Sequence, residues 1–390
     1  MVPTEILAQQ HFNSISLLLD GSLRTTSHGN WFTFYLAHIP SPLSVGILIG
    51  SHGSKQKREI QEMMAQGALD MVVGTHALLQ QGVELPRLAL AVVDEQHRFG
   101  VMQRASLRQK GETPHLLVMS ATPIPRSLAL TLYGDLDISV LDELPPGRQV
   151  IQTRWVHPER RHDSYEFLHR EVTKGRQAFV VCPLIEESEV LQTRAATTEF
   201  NRLSTEVFPD LSLGLLHGRM PFNEKEEVMA RFQRGDLDIL VSTPVVEVGI
   251  DNPNATVILI EGSDRFGLAQ LHQFRGRVGR GEHPSYCLLL SDSPSAVATE
   301  RLEVLERVSN GFAVAEEDLR FRGPGDFFGT RQSGLPTLRM ARLSDQELLR
   351  SARKEASALL KSDPDLDKPE HGQLSAEVQR FLSSAIAEES

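Results

Sequence analysis

Two carboxylates stand together at Asp94-Glu95, directly behind the apolar run Leu88–Val93, and Gln96-His97 follow them. Acidic residues at the carboxyl end of a buried parallel strand face the ligand crevice of such a sheet. There one carboxylate can hold Mg²⁺ against nucleotide phosphates, and a second can orient or deprotonate an attacking water. Taken alone, Asp-Glu is an ordinary strand end that meets solvent; its company makes it chemistry. Gln273-Phe-Arg-Gly-Arg277-Val-Gly-Arg280 places three arginines within a short helix and turn. A guanidinium suits bidentate contact with phosphate and can neutralise charge on a transferred γ-phosphoryl group. Gly276 and Gly279 would weaken a helix that merely displayed those charges to solvent. Ser120-Ala-Thr122 closes a further apolar run, Leu116–Met119, where hydroxyls can link the carboxylates to the rest of the protein. His97 is read as a coupling residue, because His76, His97 and Asp94 match no zinc spacing.

A second group of residues suits nucleic acid and nucleotide. Thr243 follows the apolar run Ile239–Val241 and offers a hydroxyl to a DNA phosphate. Gly249 allows close backbone approach, and Asp251 suits a ribose hydroxyl. Gly50-Ser51-His-Gly53-Ser-Lys55 has glycine and lysine behind a strand but lacks phosphate-loop spacing. It is read as a backbone-phosphate contact through Ser51, with Gly74-Thr75-His76 as another. The stretch Leu319–Gly334 holds Arg320, Arg322, Arg331 and Gln332 among glycines and aromatics, a composition suited to a mobile element that grips DNA. No G-x-x-x-x-G-K-[ST] occurs among the 390 residues.

The elements that must position these groups follow from the apolar runs. One set is Met71–Val73, Leu88–Val93 and Leu116–Met119; another is Phe179–Cys182, Ile239–Val241, Val257–Ile260 and Tyr286–Leu290. Short runs apolar on both faces belong to parallel sheets covered by helices, so the expected class is α/β with repeated βα units in two parallel-sheet lobes, the first incomplete. A helix is expected from Glu224 to Phe232 with Asn223 as its cap, and two more near 344–361 and 374–388, split at Ser362-Asp-Pro-Asp. Leu144-Pro-Pro-Gly-Arg148 stops both helix and sheet. The expected boundaries are 1–143 for the first lobe, 144–149 for a linker, 150–310 for the second lobe, and 311–390 for a hairpin, loop and C-terminal helices. No repeat at a solenoid period is seen, and the lobes look alike only in type. A net charge of −11 argues against a wholesale electrostatic binder of nucleic acid but permits local basic clusters. Two cysteines, Cys182 and Cys287, give no disulfide framework and fit a reducing cytoplasm. No continuous apolar run is long enough for a membrane span, and the first residues do not read as a signal peptide.

Pro3–His11, Asp94–Val101, Ser120–Arg126 and Arg322-Gly-Pro-Gly-Asp-Phe-Phe-Gly-Thr-Arg-Gln-Ser-Gly334 together resemble the bacterial RecG helicases of superfamily 2. The resemblance runs through nearly the whole chain. It implies two RecA-like lobes, ATP and Mg²⁺ as cofactors, and branched or forked DNA (Holliday junctions, stalled forks) as partner of a monomeric translocase. It implies Asp94 for Mg²⁺, Glu95 as base, Arg277 and Arg280 as arginine fingers, and Gln273 near the γ-phosphate. Ser120 and Thr122 join Gly249 and Asp251 on the nucleotide side; Ser51, Thr75, Thr243, Arg320, Arg322, Arg331 and Gln332 fall on the DNA side. The related Mfd translocase usually shows Asp-Glu-Glu-His where this chain has Asp94-Glu-Gln-His97. The family's wedge domain, adenine-recognising segment and phosphate loop are missing from these residues. The expectation is therefore a truncated gene, a fragment or a mis-called start; a second reading is a non-catalytic remnant with weak DNA binding.

Overall fold

A computed structural model describes the chain except for residues 20–23, 28, 37–39, 81, 96–109, 112–113, 122–136, 146–147, 184–188, 245–251, 293–294, 328–345 and 389–390. Contacts divide it into two units, Met1–Thr122 with Pro146–Arg307, and Pro123–Pro145 with Val308–Ser390.

The second lobe holds six strands: β7 (Ile151–Val156), β8 (Gln177–Val181), β9 (Leu213–Leu216), β10 (Ile239–Ser242), β11 (Ala255–Ile260) and β12 (Ser285–Leu290). They run parallel in the order β7-β12-β11-β8-β10-β9. Every residue of β8, β10 and β11 is buried, the mark of a sheet covered on both faces. Tyr165, Leu168 and Val172 pack on Ala178, Val180, Val241 and Leu259 to form its core.

The first lobe departs from a purely parallel pattern. β1 (Arg24–Ser27) and β2 (Trp31–Tyr35) form an antiparallel hairpin, β2 pairs antiparallel with β3 (Leu43–Leu48), and β3 runs parallel to β4 (Met71–Gly74). The hairpin is held by aromatics: Phe32 lies 4.4 Å from Phe12 and 4.7 Å from Phe34, centroid to centroid. β5 (Leu90–Val93) and β6 (His115–Val118) make a separate parallel ladder. Met1 and Val2 link the two ladders. Val2 N donates to Gly74 O, Met1 N donates to Val92 O, and Asp94 N donates to Met1 O.

Helix α1 spans Glu5–Leu19, α2 Ser54–Ala65, α3 Arg161–Thr173, α4 Glu189–Arg202 and α5 Phe222–Arg234. α5 begins earlier than expected: Pro221, with φ −53°, takes the cap position instead of Asn223. α6 is Leu268–Arg275 and α7 Ala296–Arg307. In the other unit α8 covers Gly311–Phe327, α9 Gln346–Ser362 and α10 Gly372–Glu388. α8 thus makes helix of Arg320–Phe327, where a loop was expected. Asp363 ends α9 as expected, accepting from the Asp367 and Lys368 amides and from His371 Nδ1 at 2.7 Å. Among the described residues no helix is long and apolar enough to cross a membrane.

The lobes are more alike than their sequences first indicate. Residues 43–75 recur 168 positions later as 211–243, strand for strand. Val45 pairs with Met71 as Leu213 does with Ile239. Asp70 Oδ2 accepts from the Ser44 amide at 2.8 Å, and Asp238 Oδ2 from the Ser212 amide at 2.8 Å. A Cβ on Gly46 would meet Leu69 at 2.8 Å, and one on Gly214 would meet Leu237 at 2.6 Å. Each pair differs by 168, so a similarity in type is corrected to a position-by-position repeat.

Candidate nucleotide and nucleic-acid site

Asp94 leaves the end of β5 with both oxygens engaged. Oδ1 accepts from the Glu95 amide at 2.9 Å, and Oδ2 lies 3.3 Å from His11 Nε2. The His11 hydrogen bond, aided by the Glu95 amide, holds the carboxyl below its usual range against the opposing effect of burial. It is an anion at neutral pH. Among the described residues no group of three or more His, Cys, Asp or Glu could cage a metal. His11, on α1, was legible only as part of a family signature; nothing in its spacing pointed to Asp94.

Glu95 sits at φ +53° with 8% of its surface exposed. A left-handed backbone at a non-glycine residue costs on the order of 1–3 kcal/mol and concentrates at functional positions. The second lobe supplies the comparison. There the buried strand β11 ends Ile260-Glu261-Gly262, parallel to Val93-Asp94-Glu95, and Gly262 adopts φ +55°. Glycine occupies that conformation freely, so at this strand end the strain falls on Glu95. Glu261 is filled by the protein itself: Arg161 Nη1 reaches Oε2 at 2.7 Å and Tyr165 Oη donates to Oε1 at 2.8 Å.

The arginine-bearing segment is α6 and the turn after it. Gly276 caps the helix and Gly279 turns at φ +77°, where a Cβ would meet Ile151 at 2.9 Å. Gln273 and Arg277 are partly buried and Arg280 is exposed, its Nε donating to Gly276 O at 3.2 Å. Arg148 Nη2 donates to the same carbonyl at 3.0 Å. Arg275 has a different job. It is 4% exposed, donates to Leu305 O at 2.9 Å and places Nη2 at 2.7 Å from His272 Nδ1. In the sequence Arg275 is indistinguishable from the other arginines of the segment, and nothing there marks His272.

Burial, then Arg275 and Arg148, push His272 down to about 4. The unfolded chain takes up this proton near the ordinary histidine range of about 6.5, so stability present above that range is lost as pH falls through it toward 4. Acidification from pH 7 to pH 4 should cost on the order of 2 kcal/mol through this group, allowing for its partial exposure. His272→Gln should flatten that part of a pH–urea stability curve; an unchanged slope would refute the assignment.

The remaining expected residues are dispersed. Ser120 is exposed just beyond β6. Ser51 is exposed, and its amide donates to Glu5 Oε1 at 2.9 Å. Thr75 and Thr243 are buried at equal repeat positions, their amides donating to Leu48 O and Leu216 O. Arg320 lies on α8 in the other unit, with Nε 2.8 Å from Glu317 Oε2; Arg322 is on the same helix. His97, Thr122, Gly249, Asp251, Arg331 and Gln332 lie outside the described residues.

Comparison with known proteins adds kinship. Residues 1–131 match the DEAD/DEAH box helicase model, 161–282 the helicase conserved C-terminal domain, and 308–386 the model for ATP-dependent DNA helicase RecG, domain 3, C-terminal. ATP-dependent DNA helicase RecG of Synechocystis sp. is 50% identical over 94% of this chain and 42% of its own length. The protein of that name from Bacillus subtilis is 45% identical over 97% of the chain and 53% of its length. The one from Escherichia coli is 44% identical over 98% of the chain and 54% of its length. The chain spans about half the length of these curated relatives. A solved structure of RecG bound to a three-way DNA junction is 44% identical with TM-score 0.64, covering 90% of this chain and 43% of that one. Yeast Dbp5 bound to RNA and ADP BeF3 superposes with TM-score 0.54 at 14% identity, a likeness of fold alone.

Proposed function

We propose that this chain, which belongs to the RecG family over the portion it spans, is the motor part of an ATP-dependent helicase that acts on branched DNA. The observation that carries the reading is the strained carboxylate: Glu95 at φ +53° beside the ionised Asp94, at a strand end where the second lobe places glycine. Asp94 would hold Mg²⁺, which neutralises charge on the transferred phosphoryl group. Glu95 is the base for the attacking water. Arg277 and Arg280 stabilise the phosphoryl transition state from the second lobe, with Gln273 near the γ-phosphate. His97 couples nucleotide state to the first lobe; Ser120, Thr122, Gly249 and Asp251 border the nucleotide. Ser51, Thr75 and Thr243 track the DNA backbone, and Arg320–Gln332 converts lobe movement into translocation. Fork reversal and junction migration in repair and recombination, in the bacterial cytoplasm, are the work such a motor would do.

The test is binding of the 390-residue chain to a fluorescent three-way junction and to a linear duplex of equal length. Binding that weakens steeply with salt, and favours the junction, is expected. Equal affinity for both DNAs would remove the branched-substrate reading, and no binding at low salt would remove the DNA reading.

A further inference from the structure

The repeat at 168 positions carries a device that neither lobe would reveal alone. In the first lobe the loop Gly50–Gly53 joins β3 to α2; in the second, Gly218–Pro221 joins β9 to α5. Each loop is followed, seven residues after its glycine, by a lysine: Lys57 and Lys225. A lysine in the first turn of a helix beside a DNA-facing loop reads first as a phosphate ligand. Both lysines point elsewhere. Lys57 Nζ donates to Gly50 O at 2.5 Å, and Lys225 Nζ to Gly218 O at 2.6 Å. Both are half-buried, whereas Lys55 and Arg58 beside the first, and Glu224 and Glu226 beside the second, are exposed.

Conservation of this bond between the copies stands out against what changed around it. The residue after the glycine is Ser51 in one loop and Arg219 in the other; the next are His52 and Met220, then Gly53 and Pro221. What stays constant is the glycine, the lysine, and the bond between them. A charged donor on a carbonyl makes a stronger tie than a neutral one, and it spans the whole loop. Glycines at these positions would otherwise leave the loop free to take many shapes.

We propose that Lys57 and Lys225 are positioning residues, one clamp used twice, each fixing the strand-to-helix loop of its lobe in the shape that meets the DNA backbone. The proposal rests on reading these loops as DNA contacts. In it, Ser51 and Arg219 touch phosphate at equal positions and the lysines never do.

Two measurements on the full chain separate clamp from ligand. The first is the dependence of affinity for duplex DNA on salt. A phosphate ligand contributes about 0.9 to the slope of log K against log salt. Lys57→Met and Lys225→Met should each weaken binding several-fold and leave that slope unchanged, while Arg219→Met should lower it. The second is hydrogen exchange without DNA. Exchange of the 51–53 amides should rise at least tenfold in Lys57→Met, and that of the 219–220 amides in Lys225→Met; Lys55→Met, which removes an exposed charge nearby, should change neither. A slope reduced by about 0.9 for each lysine, with loop exchange unaltered, would overturn the proposal, as would unaltered exchange by itself. Failure of the wild-type chain to bind DNA would sink the DNA reading instead, and the exchange result would still decide whether the lysines clamp.

Discussion

A polypeptide of these 390 residues should show no DNA-stimulated ATP hydrolysis above background. Joining it behind a strand–loop–helix segment that carries G-x-x-x-x-G-K-[ST] should bring turnover, and Arg280→Ala in that fusion should lower turnover about 10³-fold or more. Asp94 is ionised and Glu95 is placed, yet the backbone amides and lysine that cradle β- and γ-phosphates have no counterpart motif in the sequence. A base acts on a phosphate only when it is held in line. Arg280 is exposed on a turn fixed by Gly279 at φ +77°, whereas Arg275 is anchored in the interior. It should therefore act on the transition state more than on ATP binding, so KM should move little while kcat collapses. Vigorous hydrolysis by the unfused polypeptide, abolished by Glu95→Gln, would show that the phosphates are held by other groups. An unchanged kcat for Arg280→Ala in the fusion would show that the arginine motif has been misread.

Much of the candidate site was legible because the residues proposed for its chemistry are adjacent in the sequence. Asp94-Glu95 behind Ala91-Val-Val93 stands out because buried strands end in crevices, and Gln273, Arg277 and Arg280 because arginines cluster with glycines on a short helix and turn. The second-lobe strands were legible for a related reason: β8, β10 and β11 are apolar on both faces, and no other environment suits such runs. Other features depend on partners far along the chain. The β1–β2 hairpin is decided by Phe32 meeting both Phe12 and Phe34, and the Asp94–His11 contact bridges 83 positions. Period-two patterning says nothing about either. Strain at Glu95 has no sequence signal, since nothing in the residue's type marks φ +53°. The repeat was open to inspection: Ser44, Gly46, Gly50, Lys57, Gly67, Asp70 and Thr75 recur as Ser212, Gly214, Gly218, Lys225, Gly235, Asp238 and Thr243, and Leu43, Leu48, Glu59, Leu69 and Val73 recur at the same offset. At Gly46, Gly67, Lys57 and Asp70 and their counterparts a close backbone approach, a turn or a loop-closing bond fixes the residue. The surrounding positions need only be apolar or exposed.

Amides of β5 and β6 should exchange with solvent about 10²–10⁴ times faster than those of β8, β10 and β11, the separation that a few kcal/mol of local stability produces. The difference follows from what each strand buries. In the second lobe every side chain of β10 and β11 is at most 1% exposed. In the first, Leu90 is 56% exposed and Leu117 51%, with Met119 at 40% just beyond β6. Fully burying such a side chain is worth about 1.5–3 kcal/mol, so three half-exposed ones forgo several kcal/mol. The two first-lobe ladders are tied by three backbone hydrogen bonds at Met1 and Val2, whereas the second lobe has one continuous six-stranded sheet. A domain's whole margin is only about 5–15 kcal/mol, so a shortfall of this size lets the β5–β6 ladder open without the rest. Because Asp94 and Glu95 leave the end of β5, the same openings would scatter the carboxylates from their geometry. The proposed nucleotide chemistry therefore needs the ladder closed. Hydrogen-exchange mass spectrometry on the free chain tests this directly. Equal protection of residues 90–93 and 239–242 would refute it, and would mean that the exposed apolar surface of β5 and β6 is covered in solution.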